Sequence, residues 1–421
     1  MNKVISVAII GCGGRGLNAF GIPMQTRFSD MFNVVSVCDI NPEALNNAAI
    51  ALGIDKASCF LSEDTFFSRK RADLLVIATQ DRDHVRHILK ALELGYDIMA
   101  EKPLTSSREE CAMLLKAQKD SGKKVFVGHV LRYAPAYLKV DELLSSGTIG
   151  RLISISETEQ VWYGHFVHSY VRGPWRRKEN SSPVILAKCS HDLDLLQYYS
   201  RSRCESISSV GSLSWFRPEN APDGAAERCT QCRYMDTCPY SAKRLYIDRM
   251  KDRPDYVFST IIVRPKKLTP ESAWEAIRTG PYGRCVYHCD NDVPDNQQCL
   301  MKFSNGVTAI LDMNAFTGNG GRIITFHGSL GEIIINEDED FIRIKIYGRE
   351  EHENIPISSL VDQKYGHHGG GDDGQLRSLY AMLTGRISEV TSLENSIESH
   401  LMGIAAEESR LLGGQLVQVH Q

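Results

Sequence analysis

Residues 4–16 read VISVAIIGCGGRG, an apolar run that leads directly into a glycine-rich turn. The run predicts a short buried strand, and the G-x-G-x-x-G spacing after it is typical of a turn that starts a helix. Gly11 permits the tight turn, Gly13 lets a pyrophosphate approach the backbone, and Gly16 allows the helix to pack on the strand. Because the start of a helix favours phosphate groups, this stretch predicts a dinucleotide site.

The bulk properties of the chain limit the classes of protein to which it can belong. Its 421 residues suffice for two or three domains, and its net charge of -4 without a long basic run argues against nucleic acid or a membrane surface as partner. No apolar stretch reaches the roughly 18 residues of a membrane-spanning helix, and the first apolar run lacks a signal-peptide cleavage site. We therefore expect a cytoplasmic protein, whose twelve cysteines serve as free thiols or metal ligands rather than in disulfides.

Strands and helices alternate over residues 1–128, which we interpret as one dinucleotide-binding domain. This alternation predicts an α/β fold with a doubly wound parallel sheet, whose ligands bind at the carboxyl ends of the strands. The predicted strands after the first are 32–39, 72–79, 97–100 and 124–128, and the predicted helices are 42–52, 84–94 and 107–121.

The second predicted strand ends in Asp39, 23 residues after Gly16. An acidic side chain at this place accepts hydrogen bonds from the ribose hydroxyls of NAD and repels the 2′-phosphate of NADP. NAD is therefore the expected cofactor, and NADP is less favoured. The alternative is that Asp39 caps the turn at Asn41-Pro42.

After residue 128 the pattern changes to strand-rich segments. These predict a large open antiparallel sheet covered on one face, in an α+β substrate-binding and oligomerisation domain over residues 129–421. Residues 217–290 break the rhythm with proline, cysteine and charge, so we interpret them as a cysteine-rich insertion. The predicted strands are 152–162, 210–216, 299–313 and 322–326, and the predicted helices are 135–145, 191–199, 373–384 and 393–412.

Glu101-Lys102-Pro103 follows the strand-and-glycine pattern, and the combination resembles the Gfo/Idh/MocA family of sugar and inositol oxidoreductases. The resemblance covers nearly the whole chain and implies an NAD-dependent oxidoreductase that acts on a secondary hydroxyl of a sugar, glycoside or cyclitol. In the family signature the lysine lies beside the reacting carbon and the nicotinamide, and copies of the open sheet often pair, which implies a homo-oligomer. The expected cofactor-binding residues are Gly11, Gly13, Gly14, Arg15, Gly16, Asp39, Thr79, His84, Glu101 and Lys102.

His191 and Asp194 match the last two positions of the family's D-x-G-x-H-x-x-D helix motif, which lines the sugar. The leading Asp of that motif is replaced by Ala187 and its Gly by Cys189, with Lys188 between them. This stretch resembles a subgroup that reads A-K-x-x-H-D-x-D and carries a cysteine-rich insertion. The departure leaves the family's usual acid/base assignment open.

Oxidation of a secondary hydroxyl needs a base for its proton and a hydride acceptor within about 3–3.5 Å of the carbon. A lysine is such a base only when burial or a nearby cation lowers its pKa well below about 10.4. We expect Lys102 to be this base, with Lys188 and Arg172 as nearby cations and His191 as a proton relay or hydroxyl ligand. The catalytic candidates are Lys102, His191 and Lys188.

Two further segments have the composition of a sugar site. Residues 163–175 form a dense polar and aromatic cluster, and residues 365–374 form a loop rich in Gly and His that can approach a ligand closely. The alternatives are a packed loop or interface for the cluster and a flexible linker for the loop. The expected substrate-binding residues are Tyr163, His165, His168, Arg172, Trp175, Asp194, His367, His368 and Asp372.

The insertion contains Cys229-x-x-Cys232 and Cys238, and Cys285 and Cys289 follow later. Cys-x-x-Cys is common in structural zinc sites, which four thiolates close. We expect a structural metal held by Cys229, Cys232, Cys238 and Cys285, with zinc favoured over iron–sulfur and Cys289 as the alternative fourth ligand. The alternative is a set of reduced free thiols.

Two other functions compete with a dehydrogenase that releases its reduced cofactor. Some relatives that resemble this chain are glycosidases that oxidise a ring carbon, eliminate the glycoside, add water and reduce the ring again, so that NAD is recycled. The replaced Asp and the additional Lys188 motivate this alternative, because elimination needs another acid or base. The second alternative is a non-catalytic NAD-binding regulator, against which the intact Glu101-Lys102-Pro103 signature argues.

Overall fold

The computed structural model describes residues 3–264, 266–361, 367–387 and 391–420. The N-terminal part contains a six-stranded sheet, and all of its strands are parallel. Its strands are β1 (Ile5–Ile10), β2 (Phe32–Cys38), β3 (Cys59–Phe60), β4 (Leu74–Ile77), β5 (Asp97–Ala100) and β6 (Val125–Val127). Their spatial order is β3-β2-β1-β4-β5-β6, the order of a dinucleotide-binding sheet, so the predicted α/β fold is confirmed.

The second sheet has nine strands and is antiparallel except where its central strand β7 pairs with β10. Its strands are β7 (Leu152–Trp162), β8 (Cys204–Ser212), β9 (Asn296–Phe303), β10 (Thr308–Thr317), β11 (Gly321–Gly328), β12 (Gly331–Asn336), β13 (Phe341–Ile346), β14 (Glu353–Pro356) and β15 (Val417–Gln418). Their spatial order is β14-β13-β12-β11-β7-β10-β9-β8-β15. The predicted large open sheet in an α+β region is therefore confirmed.

The helices cover both faces of the first sheet and one face of the second. They are α1 (Ile22–Gln25), α2 (Pro42–Leu52), α3 (Glu63–Phe66), α4 (His84–Glu93), α5 (Arg108–Ser121), α6 (Pro135–Ser145), α7 (Tyr163–Phe166), α8 (Val184–Ala187), α9 (Ser190–Ser200), α10 (Arg249–Asp252), α11 (Val257–Val263), α12 (Pro270–Thr279), α13 (Gly371–Leu383) and α14 (Leu393–Leu411). No helix within the described ranges is both long enough and apolar enough to span a bilayer.

The turn after β1 depends on two glycines. Gly11 has a φ of +90°, and a Cβ atom there would lie 2.4 Å from the carbonyl oxygen of Ala78. A Cβ atom on Gly16 would lie 1.8 Å from the carbonyl oxygen of Gly11. A Cβ atom on Gly13 would meet nothing within 4 Å, so this third glycine faces open space.

Two predicted strands have the wrong bounds. The predicted strand 299–313 is in fact two antiparallel strands, β9 and β10, because the chain turns at Gly306, whose φ is +88°. The predicted strand 210–216 is the end of β8, which stops at Ser212. Beyond it, the backbone N–H groups of Ser214 and Trp215 donate to the carboxylate of Asp295 instead of to a neighbouring strand.

Helix α13, near the end of the chain, packs on the first sheet. Leu376, Leu379 and Tyr380 of α13 belong to the same apolar core as β1 and β2, and the ring of Tyr380 packs edge-on against Phe32 with centroids 5.7 Å apart. A division of the chain after residue 128 therefore separates α13 from the core on which it packs. Residues 213–295 lie between β8 and β9 and carry α10, α11 and α12. They include residues 217–290, which the sequence analysis interprets as an insertion, and are here called the insertion.

Gly16→Ala is expected to destabilise the protein, because its methyl group would overlap the Gly11 carbonyl. Overpacking of this kind costs about 1–3 kcal/mol. Gly13→Ala is the matched control, because its φ of −77° suits alanine and its Cβ points into open space, and it is expected to change stability by less than about 0.5 kcal/mol. Thermal and urea denaturation measure both effects, and equal stability of the two variants would contradict this account of the turn.

Candidate active site

A cavity of about 380 Å³, here called the reaction cavity, lies between the carboxyl ends of β4 and β5 and the inner side of the second sheet. Its floor comes from the glycine turn and from the ends of the parallel strands. Its walls come from the segment around α7–α9, from β11 and from the loop before α13. The polar and aromatic lining residues are Arg15, Thr79, Asp81, His84, Glu101, Lys102, His165, Ser169, Tyr170, Trp175, Lys188, His191, Arg322 and His368.

Arg15 joins three segments at the edge of this cavity. Its Nε atom donates to Oε1 of Glu101 at 2.6 Å, and its Nη1 atom donates to Oδ1 of Asp372 at 2.8 Å. The other oxygen of Asp372 lies 2.9 Å from Nδ1 of His368. Burial favours protonated Asp372, but the bond from His368 and the charge of Arg15 hold the pKa of this carboxyl below its usual value.

Lys102 lies on the cavity wall directly after β5. Its Nζ atom donates to the carbonyl oxygen of Ala187 at 2.9 Å. Removal from water and the charge of Lys188 lower the pKa of Lys102 against the opposing effects of Glu101 and Asp81. The structure therefore supplies the condition that a basic lysine needs.

Lys188 is held by a buried carboxylate. Its Nζ atom lies 2.7 Å from Oε1 of Glu159, whose other oxygen lies 2.9 Å from Nη2 of Arg322. Arg322 also donates from Nε to Oδ1 of Asp192 at 2.7 Å. Burial raises the pKa of Glu159 to about 7, although the two cations oppose that rise. Glu159 can therefore exchange a proton near neutral pH.

His165 and His191 line the cavity as neutral imidazoles. Burial and nearby cations lower the pKa of His165 to about 3 and that of His191 well below its usual value. Nδ1 of His191 is buried without a hydrogen-bond partner among the described residues. A buried nitrogen without a partner is costly, so a ligand hydroxyl in the cavity is a natural partner for this ring.

Several expected substrate residues lie elsewhere. Asp194 forms a two-point ion pair with Arg132, through distances of 2.6 and 2.7 Å, and both side chains are buried. His168 stacks between Phe258 and Tyr282, with centroids 4.2 and 4.7 Å away. These two side chains support the walls of the cavity rather than lining it.

Arg172 and Tyr163 are also behind the wall. Arg172 is fully buried and donates to the carbonyl oxygens of Arg284 and Tyr240 at 2.7 and 2.9 Å, so it ties the insertion to the segment before α8. Tyr163 packs edge-on against Trp162 and Tyr240. The side chain of His367, with residues 362–366 of the same loop, lies outside the described residues.

A second cavity, of about 250 Å³, lies on the other side of the glycine turn and is here called the cofactor-side cavity. Its lining includes Gly13, Asn41 and Arg264. Asp39 lies at its edge and accepts hydrogen bonds from the backbone N–H groups of Cys12 at 2.7 Å and Asn41 at 2.8 Å. The bond from Asn41 is the turn contact expected of Asp39 as a cap, while α2 itself is capped by Asn41, whose Oδ1 atom accepts from the N–H groups of Glu43 and Ala44.

These residues fit a dinucleotide. The open space above Gly13 and the free helix start leave room for a pyrophosphate, and Asp39 is held beside this space by its bonds from Cys12 and Asn41. His84 fixes the adjoining strand end, because its ring nitrogens lie 2.7 Å from the carbonyl oxygen of Pro103 and 3.2 Å from that of Thr79.

The expected zinc site is not supported. Cys229, Cys232, Cys238 and Cys285 line one small cavity in the insertion, as the spacing suggested. Yet among the described residues no group of three or more His, Cys, Asp or Glu side chains is placed to hold a metal ion. The twelve cysteines are free thiols, and Sγ of Cys229 accepts from Arg172 at 3.3 Å and from the N–H of Ala242 at 3.4 Å.

The sequence analysis missed several residues that line the site. Glu159 and Arg322 are directly opposite each other on β7 and β11, a register that no local pattern reveals. The available signal was a charged residue on the buried face of a strand, because Glu157 and Glu159 alternate with half-buried positions between Ile155 and Val161. Arg264 reaches the cofactor-side cavity from the insertion, and no local pattern predicts this placement.

Comparisons with known proteins agree with this architecture. Residues 5–129 match the GFO_IDH_MocA family model, described as an oxidoreductase family with an NAD-binding Rossmann fold. YteT of Bacillus subtilis (strain 168), which its name assigns only to the oxidoreductases, is 24% identical over 393 residues, 89% of this chain and 88% of its own. The 2,7-anhydro-N-acetylneuraminate hydratase of Escherichia coli (strain K12) is 26% identical over 204 residues, 48% of this chain and 53% of its own, so that match spans about half of each protein.

Solved structures share the whole fold. A levoglucosan dehydrogenase in complex with NADH and levoglucosan has a TM-score of 0.70 at 18% identity and covers 100% of both chains. An oxidoreductase from Agrobacterium radiobacter in complex with NAD+, L-tartaric acid and magnesium has a TM-score of 0.69 at 15% identity and covers 99% of both. At such low identities the likeness concerns the fold alone.

Arg264→Gln is expected to weaken NAD binding about tenfold, because a charge-assisted contact to a phosphate is worth roughly 1.4 kcal/mol or more. Arg264 lines the cofactor-side cavity and has no carboxylate partner in the described part of the chain. Lys267→Gln removes an equal charge from an exposed position nearby and is the control. Titration calorimetry with NAD and NADP measures the change, and an unchanged affinity in Arg264→Gln would refute the contact.

Proposed function

We propose that this chain, whose N-terminal region belongs to the Gfo/Idh/MocA oxidoreductase family, is an NAD-dependent oxidoreductase acting on a secondary hydroxyl of a sugar, glycoside or cyclitol. The observation that carries the proposal is the position of Lys102. Its amine lies on the wall of a cavity at the carboxyl ends of the parallel strands, with a lowered pKa and a carbonyl group as its hydrogen-bond acceptor. The levoglucosan dehydrogenase with the same fold supports a saccharide as the substrate class.

The residues of the cavity divide the work of such a reaction. Lys102 takes the proton of the reacting hydroxyl, and NAD, when bound, accepts the hydride from the same carbon. His191 offers a neutral ring without a described partner to a neighbouring hydroxyl. Trp175 and Tyr170 provide aromatic walls that exclude water from the reacting face, which strengthens the polar contacts inside the cavity.

The bridge of Arg15, Glu101 and Asp372 holds neighbouring residues in place and takes no part in the reaction. Both carboxylates are bound to the same guanidinium, and Asp372 is also bound to His368, so these groups are engaged with one another. The bridge fixes the end of β5, from which Lys102 extends, against the glycine turn. We infer that the glycine turn, Asp39, Thr79 and Arg264 hold the cofactor and that Arg15 orients the loop between cofactor and substrate.

Lys102→Met and Lys102→Arg are both expected to reduce turnover about 10²–10⁴-fold, the usual contribution of a general base, without weakening NAD binding. Because neutral Lys102 is the active form, wild-type activity should rise with pH through a pKa below the ordinary lysine value, and this limb should vanish in both variants. Arginine keeps the charge but cannot give up a proton, so full activity of Lys102→Arg would exclude the base role. Reduction of NAD against a panel of sugars and inositols is the assay, and a fully functional Lys102→Met protein would favour the non-catalytic regulator.

A second candidate is a glycosidase that recycles NAD. It is favoured by the Lys188–Glu159 pair, in which Lys188 lines the same cavity and the Glu159 carboxyl bound to it has a pKa of about 7. Elimination at a carbon next to an oxidised ring position needs such a group in addition to Lys102. The relative named as a hydratase of an anhydro sugar supports chemistry in which water is added within this family.

The two candidates differ in the fate of the electrons. A dehydrogenase accumulates NADH as sugar is consumed, whereas the recycling glycosidase releases the aglycone of a chromogenic glycoside with no net NADH. Under the second candidate, Glu159→Gln should abolish aglycone release and remove the pH dependence near 7 while a single turnover of NAD reduction persists. Stoichiometric NADH without aglycone would eliminate it.

Glu157→Gln is the control for that experiment. Glu157 lies on the same face of β7 and contacts Arg322 at 3.8 Å, but the described partner of Lys188 is Glu159, not Glu157. Burial raises the pKa of Glu157 well above its usual value, which favours the protonated carboxyl, and glutamine is a neutral group of the same shape. Aglycone release should survive in this variant, and its loss would attribute the effect to packing rather than to acid/base chemistry.

We also propose that the chain forms a homo-oligomer through the outer face of the second sheet. Val210, Leu300 and Ile310 are each about half exposed on β8, β9 and β10. Leu300 and Ile310 are directly opposite each other, and Val210 is diagonal to Leu300. An apolar patch on the open face of a sheet is typical of an interface.

A further inference from the structure

A third cavity, of about 460 Å³, opens beside the reaction cavity and is here called the outer cavity. His165, Lys188 and Arg322 line both cavities, so the two are neighbours across this wall. A ligand whose reacting ring lies next to Lys102 and His191 would therefore extend the rest of its structure past Lys188. The outer cavity is where a second group of the substrate would lie.

Arg249, on α10 of the insertion, is held in this cavity by stacking. Its guanidinium carbon lies 4.4 Å from the ring centroid of Trp162 and 5.7 Å from that of Tyr256. Stacking on a ring leaves the N–H groups in the guanidinium plane available as donors. Within the described ranges, this side chain has no hydrogen-bond acceptor and no carboxylate partner, although it is only partly exposed.

Arg253 adds a second guanidinium to the same lining, also without a carboxylate partner in the described part of the chain. Glu159 is the acidic residue of the described lining, and Lys188 and Arg322 already occupy its two oxygens. The two insertion arginines are therefore not neutralised from within the cavity. Fields of one sign are focused in a cleft with apolar walls, such as those provided here by Trp162 and Phe258.

The opposite wall leaves room for a bulky group. It is formed by residues 318–321, of which three are glycines. A Cβ atom on Gly318 would meet nothing within 4 Å, and one on Gly320 would approach only Trp162 and Gln160, at 3.5 Å or more. The cavity thus combines space, an aromatic side and two donor forks without acceptors.

We propose that the outer cavity binds an oxyanion of the substrate, so that the protein acts on a saccharide that carries a carboxylate, phosphate or sulfate on the part projecting from the reacting ring. This inference rests on the proposed oxidoreductase function and specifies its substrate class. A guanidinium binds such groups through two parallel charge-assisted hydrogen bonds, and two guanidinium groups at one site favour an anion over any neutral group.

Inorganic anions test the cavity without knowledge of the sugar. Sulfate and phosphate are titrated into the NAD-loaded full-length protein by calorimetry, at an ionic strength kept constant with sodium chloride. We expect saturable binding that falls at least about tenfold in the Arg249→Gln/Arg253→Gln double variant. Arg253→Gln alone, at an exposed position, should give a smaller loss without disturbing the stack on Trp162.

Lys251→Gln is the matched control. Lys251 lies on the same helix and is exposed, but it pairs with Asp248 at 3.0 Å and does not line the outer cavity. Its loss should leave anion binding unchanged. Absence of saturation in the wild-type protein, or equal binding by the double variant, would overturn the proposal.

A matched panel of sugars then identifies the source of the anion. Methyl glucoside is compared with methyl glucuronide, glucose 6-phosphate and glucose 6-sulfate, and we expect the charged members to bind more tightly only when both arginines are present. Equal affinity of the neutral and charged sugars would contradict the proposed substrate class. Anion binding that persists without NAD reduction by any sugar would reject the oxidoreductase function while leaving the ligand class of the cavity intact.

Discussion

The geometry of the site depends on one guanidinium that holds together three distant parts of the chain. Arg15 lies in the glycine turn, Glu101 directly follows β5, and Asp372 lies in the first turn of α13. The ion pairs of Arg15 with Glu101 at 2.6 Å and with Asp372 at 2.8 Å join these three segments. The carboxylates are about nine-tenths buried, so removing the cation would leave uncompensated charge and cost several kcal/mol. Gly128 belongs to the same constraint, because a Cβ atom there would lie 3.0 Å from Oε2 of Glu101. The bridge therefore fixes the position of Lys102 relative to the glycine turn.

The polar interior behind the cavity follows from the balance of charge around Arg322. This buried side chain lies within 4 Å of Glu157, Glu159, Asp192 and Glu337. One cation cannot stabilise so many carboxylates away from water, and burial raises the pKa of Glu157 well above its usual value and that of Glu159 to about 7. Carboxyl groups with raised pKa values therefore lie behind Lys188, whereas Lys102 faces the cavity and donates to a carbonyl group. The two lysines thus differ in their partners, because Lys102 donates to a neutral carbonyl group whereas Lys188 pairs with a carboxyl whose pKa is about 7.

The sequence predicted those features that depend on local pattern. The first sheet followed from alternation, β7 and α6 were located to the residue, and the glycine turn identified the ligand edge. The sequence did not predict which side chains line the cavity where contacts between distant segments decide their position. The Arg322–Glu159 pair exists because β11 and β7 align in one register, and Asp194 is sequestered by Arg132 from a separate segment. A motif match names residues near a site, but only packing determines which of their atoms face the ligand.

The insertion contributes arginine side chains to two of the cavities. It is anchored by Arg172, whose buried guanidinium donates to the carbonyl oxygens of Arg284 and Tyr240 and to the sulfur of Cys229. Arg264 of the insertion lines the cofactor-side cavity, and Arg249 lines the outer cavity. Long cationic side chains lose considerable conformational entropy when they bind a ligand. Because the contacts of Arg172 hold the backbone of the insertion in place, this loss is smaller for Arg249 and Arg264. The cysteine cluster therefore has a physical role as a packed, thiol-lined anchor around the buried Arg172, and Arg249 and Arg264 extend from the insertion that this anchor holds.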